Sequence, residues 1–76
     1  MRYFTTEAKD FLFWRLDEET GVMQYTGHPE SGVWETYLEG EAGSTIETLN
    51  TDGFGDEIPE GNPMFAFETD ENWNRL

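Results

Sequence analysis

The chain contains one histidine, His28, two serines, Ser31 and Ser44, and no cysteine. Any Ser-His-Asp unit would therefore have to be built around His28. His28 lies within Gly27-His28-Pro29-Glu30-Ser31-Gly32, a turn by composition, which places the imidazole on an exposed loop and not in a cleft. Carboxylates are plentiful, 17 in 76 residues, but paired carboxylates that hydrolyse glycosides need a cleft for a sugar chain. A chain this short is a poor host for one. The stretch Asn50-Thr51-Asp52-Gly53-Phe54-Gly55-Asp56-Glu57-Ile58 has the look of an ion loop. With Gly53 at the glycine position of an EF-hand, Thr48 takes the first ligand position and Pro59 stands where the bidentate Glu is required. No glycine run precedes a Lys-Ser/Thr pair, so a phosphate-cradling loop is absent. The expectation is a non-enzyme with no cofactor and no dedicated metal site.

The charges carry more information. The four basic residues are Arg2, Lys9, Arg15 and Arg75, so residues 16–74 contain no Lys or Arg, while 15 of the acids fall there. The formal net charge of −13 is concentrated in that one stretch. Same-sign crowding repels itself and destabilises a compact state, so a surface of this kind points to a benefit outside folding. It also excludes direct binding to nucleic acid or to an anionic membrane as the main activity. Disorder is countered by the aromatics: 3 Trp, 3 Tyr and 6 Phe, many in strand-like runs. Without cysteine there is no disulfide framework, and nothing approaches the ~18 apolar residues of a spanning helix. With no charged-then-apolar leader at the start, a cytoplasmic protein is expected.

The elements that position these side chains read as mainly β, or small α+β: a compact antiparallel sheet of 4–5 strands with hairpins and one short helix at most. A single domain is expected over residues 1–68, with an acidic tail, 69–76, that forms at most a short helical turn. Tyr3-Phe4-Thr5-Thr6 is a β-prone run. Residues 11–16 and 22–26 form a hairpin closed by Asp17-Glu18-Glu19-Thr20-Gly21, with Asp17 accepting turn N–H bonds and Gly21 at positive φ. Leu12, Trp14 and Leu16 share one face of the first strand, and Phe11, Phe13 and Arg15 the other, which marks a central strand covered on both sides. Val33–Glu39 is a further strand, with Trp34, Thr36 and Leu38 facing one way and Val33, Glu35, Tyr37 and Glu39 the other. Ser44 is placed to cap a helical turn over Thr45–Leu49, with Glu47 completing the capping box, and a strand there competes with it. Residues 50–63 form a long irregular loop, followed by a last strand over Met64–Glu68. Leu12, Trp14, Phe65 and Phe67 are the expected core.

The candidate site residues are the carboxylates Glu35, Glu39, Glu41, Asp52, Asp56, Glu57, Glu60, Asp70 and Glu71, with the aromatics Trp34, Tyr37 and Trp73. Alternate residues of a strand emerge on one face at roughly 6.6 Å intervals, so Glu35 and Glu39 start a regular row that the loop acids extend. Trp73 either anchors a partner or folds back over the sheet. The partner implied is a basic, nucleic-acid-binding protein whose cationic site the acids would occupy. In composition the chain resembles the small acidic DNA-mimic inhibitors that phages encode against restriction, CRISPR or host transcription proteins, and that resemblance would put it in the host cytoplasm. Two other readings compete: an adaptor that docks on a larger assembly through an aromatic face, and a surface adapted to high salt.

Overall fold

The computed structural model describes residues 1–6, 12–39, 46–51 and 55–76. Five strands build one antiparallel sheet: β1 (Arg2–Thr6), β2 (Leu12–Asp17), β3 (Val22–Thr26), β4 (Glu35–Leu38) and β5 (Ala66–Thr69). Their order is β4-β3-β2-β1-β5. Strands β1 to β4 thus form a meander, after which the chain crosses to the far side and lays β5 beside β1. A single helical turn, α1 (Ile46–Leu49), lies on that crossing. The expected mainly β sheet with one short helix is the architecture observed. The strand alternative gives way to α1 over residues 46–49, and Thr45 and the Ser44 cap lie outside the described residues.

The β2–β3 turn follows from its residues. Gly21 N–H donates to the Asp17 carbonyl at 2.8 Å and Glu19 N–H to Asp17 Oδ1 at 3.0 Å, while Gly21 adopts φ 74°. That left-handed conformation costs a residue with a Cβ roughly 1–2 kcal/mol, so the turn ends in glycine.

Alternation along β2 divides the sheet into two faces. On the inner face Leu12, Trp14 and Leu16 stand opposite Thr6, Phe4 and Arg2 of β1, and Trp14 and Leu16 also stand opposite Tyr25 and Met23 of β3. Phe4, Trp14, Leu16 and Met23 form the core, with Leu12, Tyr25, Ile46 and Leu49 packed against them. Phe4 and Met23 are fully buried, each contributing about 1.5–3 kcal/mol by burial. The outer face carries Tyr3, Thr5, Phe13, Arg15, Gln24 and Phe67. Expected core membership of Phe65 and Phe67 is corrected. In β5 it is Ala66 that points inward and is fully buried, because Phe67 pairs with Thr5 on the outer face and Phe65 precedes the strand. Both phenylalanines are half-buried.

Two further expectations change. The pairing of β3 with β4 shifts register between Met23 and Gln24, so Leu38 stands opposite Met23 and Thr36 opposite Gln24, with Tyr37 as the extra residue. A bulge of this kind breaks strict alternation, which is why Thr36 and Leu38 do not follow the simple two-residue pattern. The tail is not helical. Thr69 bridges to Arg75, Asp70 N–H donates to the Asn74 carbonyl at 2.9 Å and Leu76 N–H to the Glu68 carbonyl at 3.2 Å. The last residues thus return along the outer edge of β5. Asp70 drives this return: its Oδ1 accepts the N–H groups of Asn72 and Asn74 at 2.8 and 3.0 Å, a competitor to helix that aspartate offers readily.

Candidate functional site

The three described arginines are all engaged within the fold. Arg2, on the inner face opposite Leu16, makes a bidentate pair with Glu68, Nε to Oε1 at 2.9 Å and Nη2 to Oε2 at 3.0 Å, and lies 3.5 Å from Glu18 Oε1. The hydrogen bond from Arg2 holds the Glu68 carboxyl below the usual carboxylate range, against an opposing effect of burial. The same bond raises the Arg2 pKa further. Arg75 binds Glu60, and its guanidinium lies 4.8 Å from the Phe67 ring centroid. Arg15 donates to Gln24 Oε1 at 2.8 Å and stacks 4.3 Å over Trp34. Lys9 lies outside the described residues.

Carboxylates outnumber these cations heavily, and several face water alone. Among the described residues Glu19, Glu39, Glu57 and Glu71 are exposed and have no cation within bonding distance. Glu35, on the edge strand β4, is exposed and accepts a 2.7 Å hydrogen bond from the Tyr25 hydroxyl. That bond and the carboxylate charge raise the Tyr25 pKa above its ordinary value. Glu30 is exposed beside His28, 3.6 Å from its Nδ1. An open groove of about 510 Å³ runs along Tyr25, Val33 and the 3-10 turn at Pro29–Ser31, and Glu30 and Glu35 both line it.

The sequence-derived candidates therefore separate into groups. Glu35 and Glu39 lie on or beside β4, the sheet's open edge. Asp56, Glu57 and Glu60 are exposed on the loop between α1 and β5, and Glu60 reaches the β5 edge through Arg75. Hence the β4 row and Glu60 stand at opposite edges and do not form one row. Glu71 is exposed in the terminal turn, but Asp70 is half-buried and spends its carboxylate on that turn. Glu41 and Asp52 lie outside the described residues.

The aromatics divide as the strand faces require. Trp34 and Trp73 meet on the outer face, centroids 6.0 Å apart and planes at 30°. Trp73 also packs edge-on against Tyr3 at 5.2 Å and Phe13 at 5.1 Å. It thus folds back over the sheet, and it does so at φ 67°, a left-handed conformation rare for a bulky residue. Tyr37 instead sits on the inner face, its ring 5.2 Å from Trp14 and 6.3 Å from Tyr25, and is half exposed. Sequence reasoning missed the part played by Arg15. The available signal was its alternation with Phe13 on one face of β2, where a cation between rings stacks readily.

The ion-loop reading loses a ligand. Asn50 is buried and uses its whole amide on β5, Nδ2 donating to the Ala66 carbonyl at 2.8 Å and Oδ1 accepting the Ala66 N–H at 2.6 Å. Among the described residues no group of three or more His, Asp or Glu is placed to hold a metal ion. None of their helices is long and apolar enough to cross a membrane. No protein-family model matches the chain, and no curated protein or solved structure matches it.

Proposed function

We propose that the chain is a non-catalytic inhibitor that occupies the cationic nucleic-acid site of another protein. One observation carries the reading: the described arginines are consumed by internal contacts with Glu68, Glu60, Gln24 and ring faces, while Glu19, Glu39, Glu57 and Glu71 stay exposed without a counter-charge. The negative field of these carboxylates is therefore not offset by the described arginines. Its density is comparable to that of nucleic acid. The net charge of −13 is spread over a body whose longest Cα extent is 31 Å. A duplex of that length carries about one charge per 1.7 Å, so the two fall within a factor of two. Carboxylates at both sheet edges and in the terminal turn face several directions, as phosphates do around a helix, and a groove that wraps a duplex can meet them together.

Association between such surfaces is steered by charge and screened by salt. With the chain immobilised and its captured target in solution, the association rate should fall steeply from about 0.05 to 0.3 M salt, with the dissociation rate changing less. The variant Asp56→Lys/Glu57→Lys/Glu60→Lys should associate much more slowly while remaining folded. An association rate indifferent to salt and to those reversals would contradict the reading. It would leave a docking module whose acids serve only solubility.

A further inference from the structure

The inner face is not sealed. Between the sheet and the crossing that leads to β5 lies a cleft of about 200 Å³. Its walls are Leu12, Leu49 and Ile58, and Met64 and Tyr37 at its margin are 65% and 50% exposed. Trp14 and Thr6 complete the lining, and each holds a polar atom, Nε1 and Oγ1, that has no hydrogen-bond partner. Both atoms are closed off from solvent, so what the cleft offers an incoming group is apolar. The volume suits one side chain: an apolar cavity of about 150 Å³ holds a benzene ring. It is too small for most cofactors and drug-sized ligands, which need about 300–1,000 Å³.

The residues around the walls narrow the occupant. Tyr37 is flanked in sequence by Glu35 and Glu39, and Ile58 follows Asp56 and Glu57, all four exposed. An apolar cleft whose lining residues Tyr37 and Ile58 have exposed carboxylates within two positions along the chain complements an apolar side chain flanked by Lys or Arg. It does not complement a second copy of this chain, whose residues 16–74 contain no Lys or Arg. We propose that the cleft receives one aromatic or branched aliphatic side chain from a basic segment of the partner protein. This rests on the proposed binding to a cationic surface and adds its anchor: the carboxylates bring the segment in, and the cleft holds it. Buried apolar anchors ringed by polar contacts dominate the energy of protein interfaces.

The test uses two synthetic Lys/Arg-rich peptides, identical except for a central Phe or Ala, titrated into the intact chain at about 0.05 M salt. The Phe peptide should bind roughly tenfold or more tightly, the gain expected from burying a ring. It should also shift the methyl resonances of Leu12, Leu49 and Ile58, which the Ala peptide should leave in place. Ile58→Phe, checked for folding by circular dichroism, should abolish the difference between the peptides, and the methyl shifts give the answer in the wild-type chain even if that variant fails to fold. Equal affinities without methyl shifts would overturn the cleft proposal and leave the acidic-surface reading standing. Failure of both peptides to bind would remove the acidic-surface reading and the cleft with it. Two other results would overturn the proposal by naming a different occupant. One is saturation of the same methyls by toluene alone, as tightly as by the Phe peptide; the other is movement of the methyls with the concentration of the chain alone.

Discussion

The two faces of the sheet are both aromatic, yet they are covered by different means. On the inner face Phe4, Trp14, Leu16 and Met23 are buried beneath aliphatic residues of α1. On the outer face Tyr3, Phe13, Trp34 and Phe67 are half-buried and covered by Trp73 from the tail and by the guanidinium groups of Arg15 and Arg75. The comparison shows where the scarce cations went. Three of the four basic residues lie over rings: Arg15 and Arg75 on the outer face, and on the inner face Arg2, which clamps Glu68 and lies 5.3 Å from the Phe4 ring centroid. Using arginine in this way stabilises the outer face, over which no helix or second sheet lies among the described residues, and it leaves the exposed carboxylates unneutralised. An acidic exterior and a cation-capped outer face are thus two consequences of one allocation.

The largest expected effect lies on the inner face. Phe4→Ala empties a fully buried ring position and should cost about 3–5 kcal/mol, much of the stability of a domain this small. Urea unfolding followed by circular dichroism would show it as a collapsed or absent transition. The outer face should prove more forgiving. Trp73→Ala removes three ring contacts but keeps a Cβ at φ 67°, and should cost about 2 kcal/mol. Trp73→Gly should be less harmful than Trp73→Ala by about 1 kcal/mol, because glycine accepts the left-handed backbone. An outer-face loss as large as that of Phe4→Ala would erase the distinction between the faces.

These expectations depend on how much could be read in the residues themselves. The β2–β3 hairpin was legible because its turn is local: Asp17 and Gly21 act on backbone groups within four residues. The central place of β2 was legible too, since Leu12, Trp14 and Leu16 alternate with Phe13 and Arg15. Phe4 and Met23 were not evident as the deepest core, because their burial comes from register with β2. The bulge at Tyr37 hid for a related reason, since it is set by pairing with β3. The turn at Asp70 is local, its carboxylate accepting N–H groups two and four residues on, but an aspartate at that place can equally cap a helix, so the residues alone did not choose between the two. For the site, the exposure of Glu39, Glu57 and Glu71 was legible from charge alone. The meeting of Trp34 with Trp73, 39 positions apart, and the separation of Glu35 from Glu60 required the sheet order.

A smaller effect concerns pH. Glu68 has its pKa lowered by Arg2, so the unfolded state takes up the proton first. The pair's stabilisation is therefore present above the ordinary carboxylate value of about 4.3 and is lost as pH falls through the lower folded value. Arg2→Met should be less stable than the parent at pH 7, by about 1 kcal/mol for a partly exposed bidentate pair, and the gap should close near pH 2. Unfolding midpoints of both chains at the two pH values would decide it. The smallest change belongs to the solvent-facing acids. Glu39→Lys or Glu57→Lys should alter stability by less than about 0.5 kcal/mol, towards greater stability, because repulsion is relieved.

The claim that these acids stand in for phosphates is tested most directly by competition. A captured target is loaded with fluorescently labelled duplex DNA or RNA, and the acidic chain is added while anisotropy is followed. The account predicts that label is released in proportion to the chain bound, that unlabelled nucleic acid reverses the release, and that Asp56→Lys/Glu57→Lys/Glu60→Lys releases much less. A complex holding target, nucleic acid and acidic chain together, with no label displaced at saturation, would contradict it.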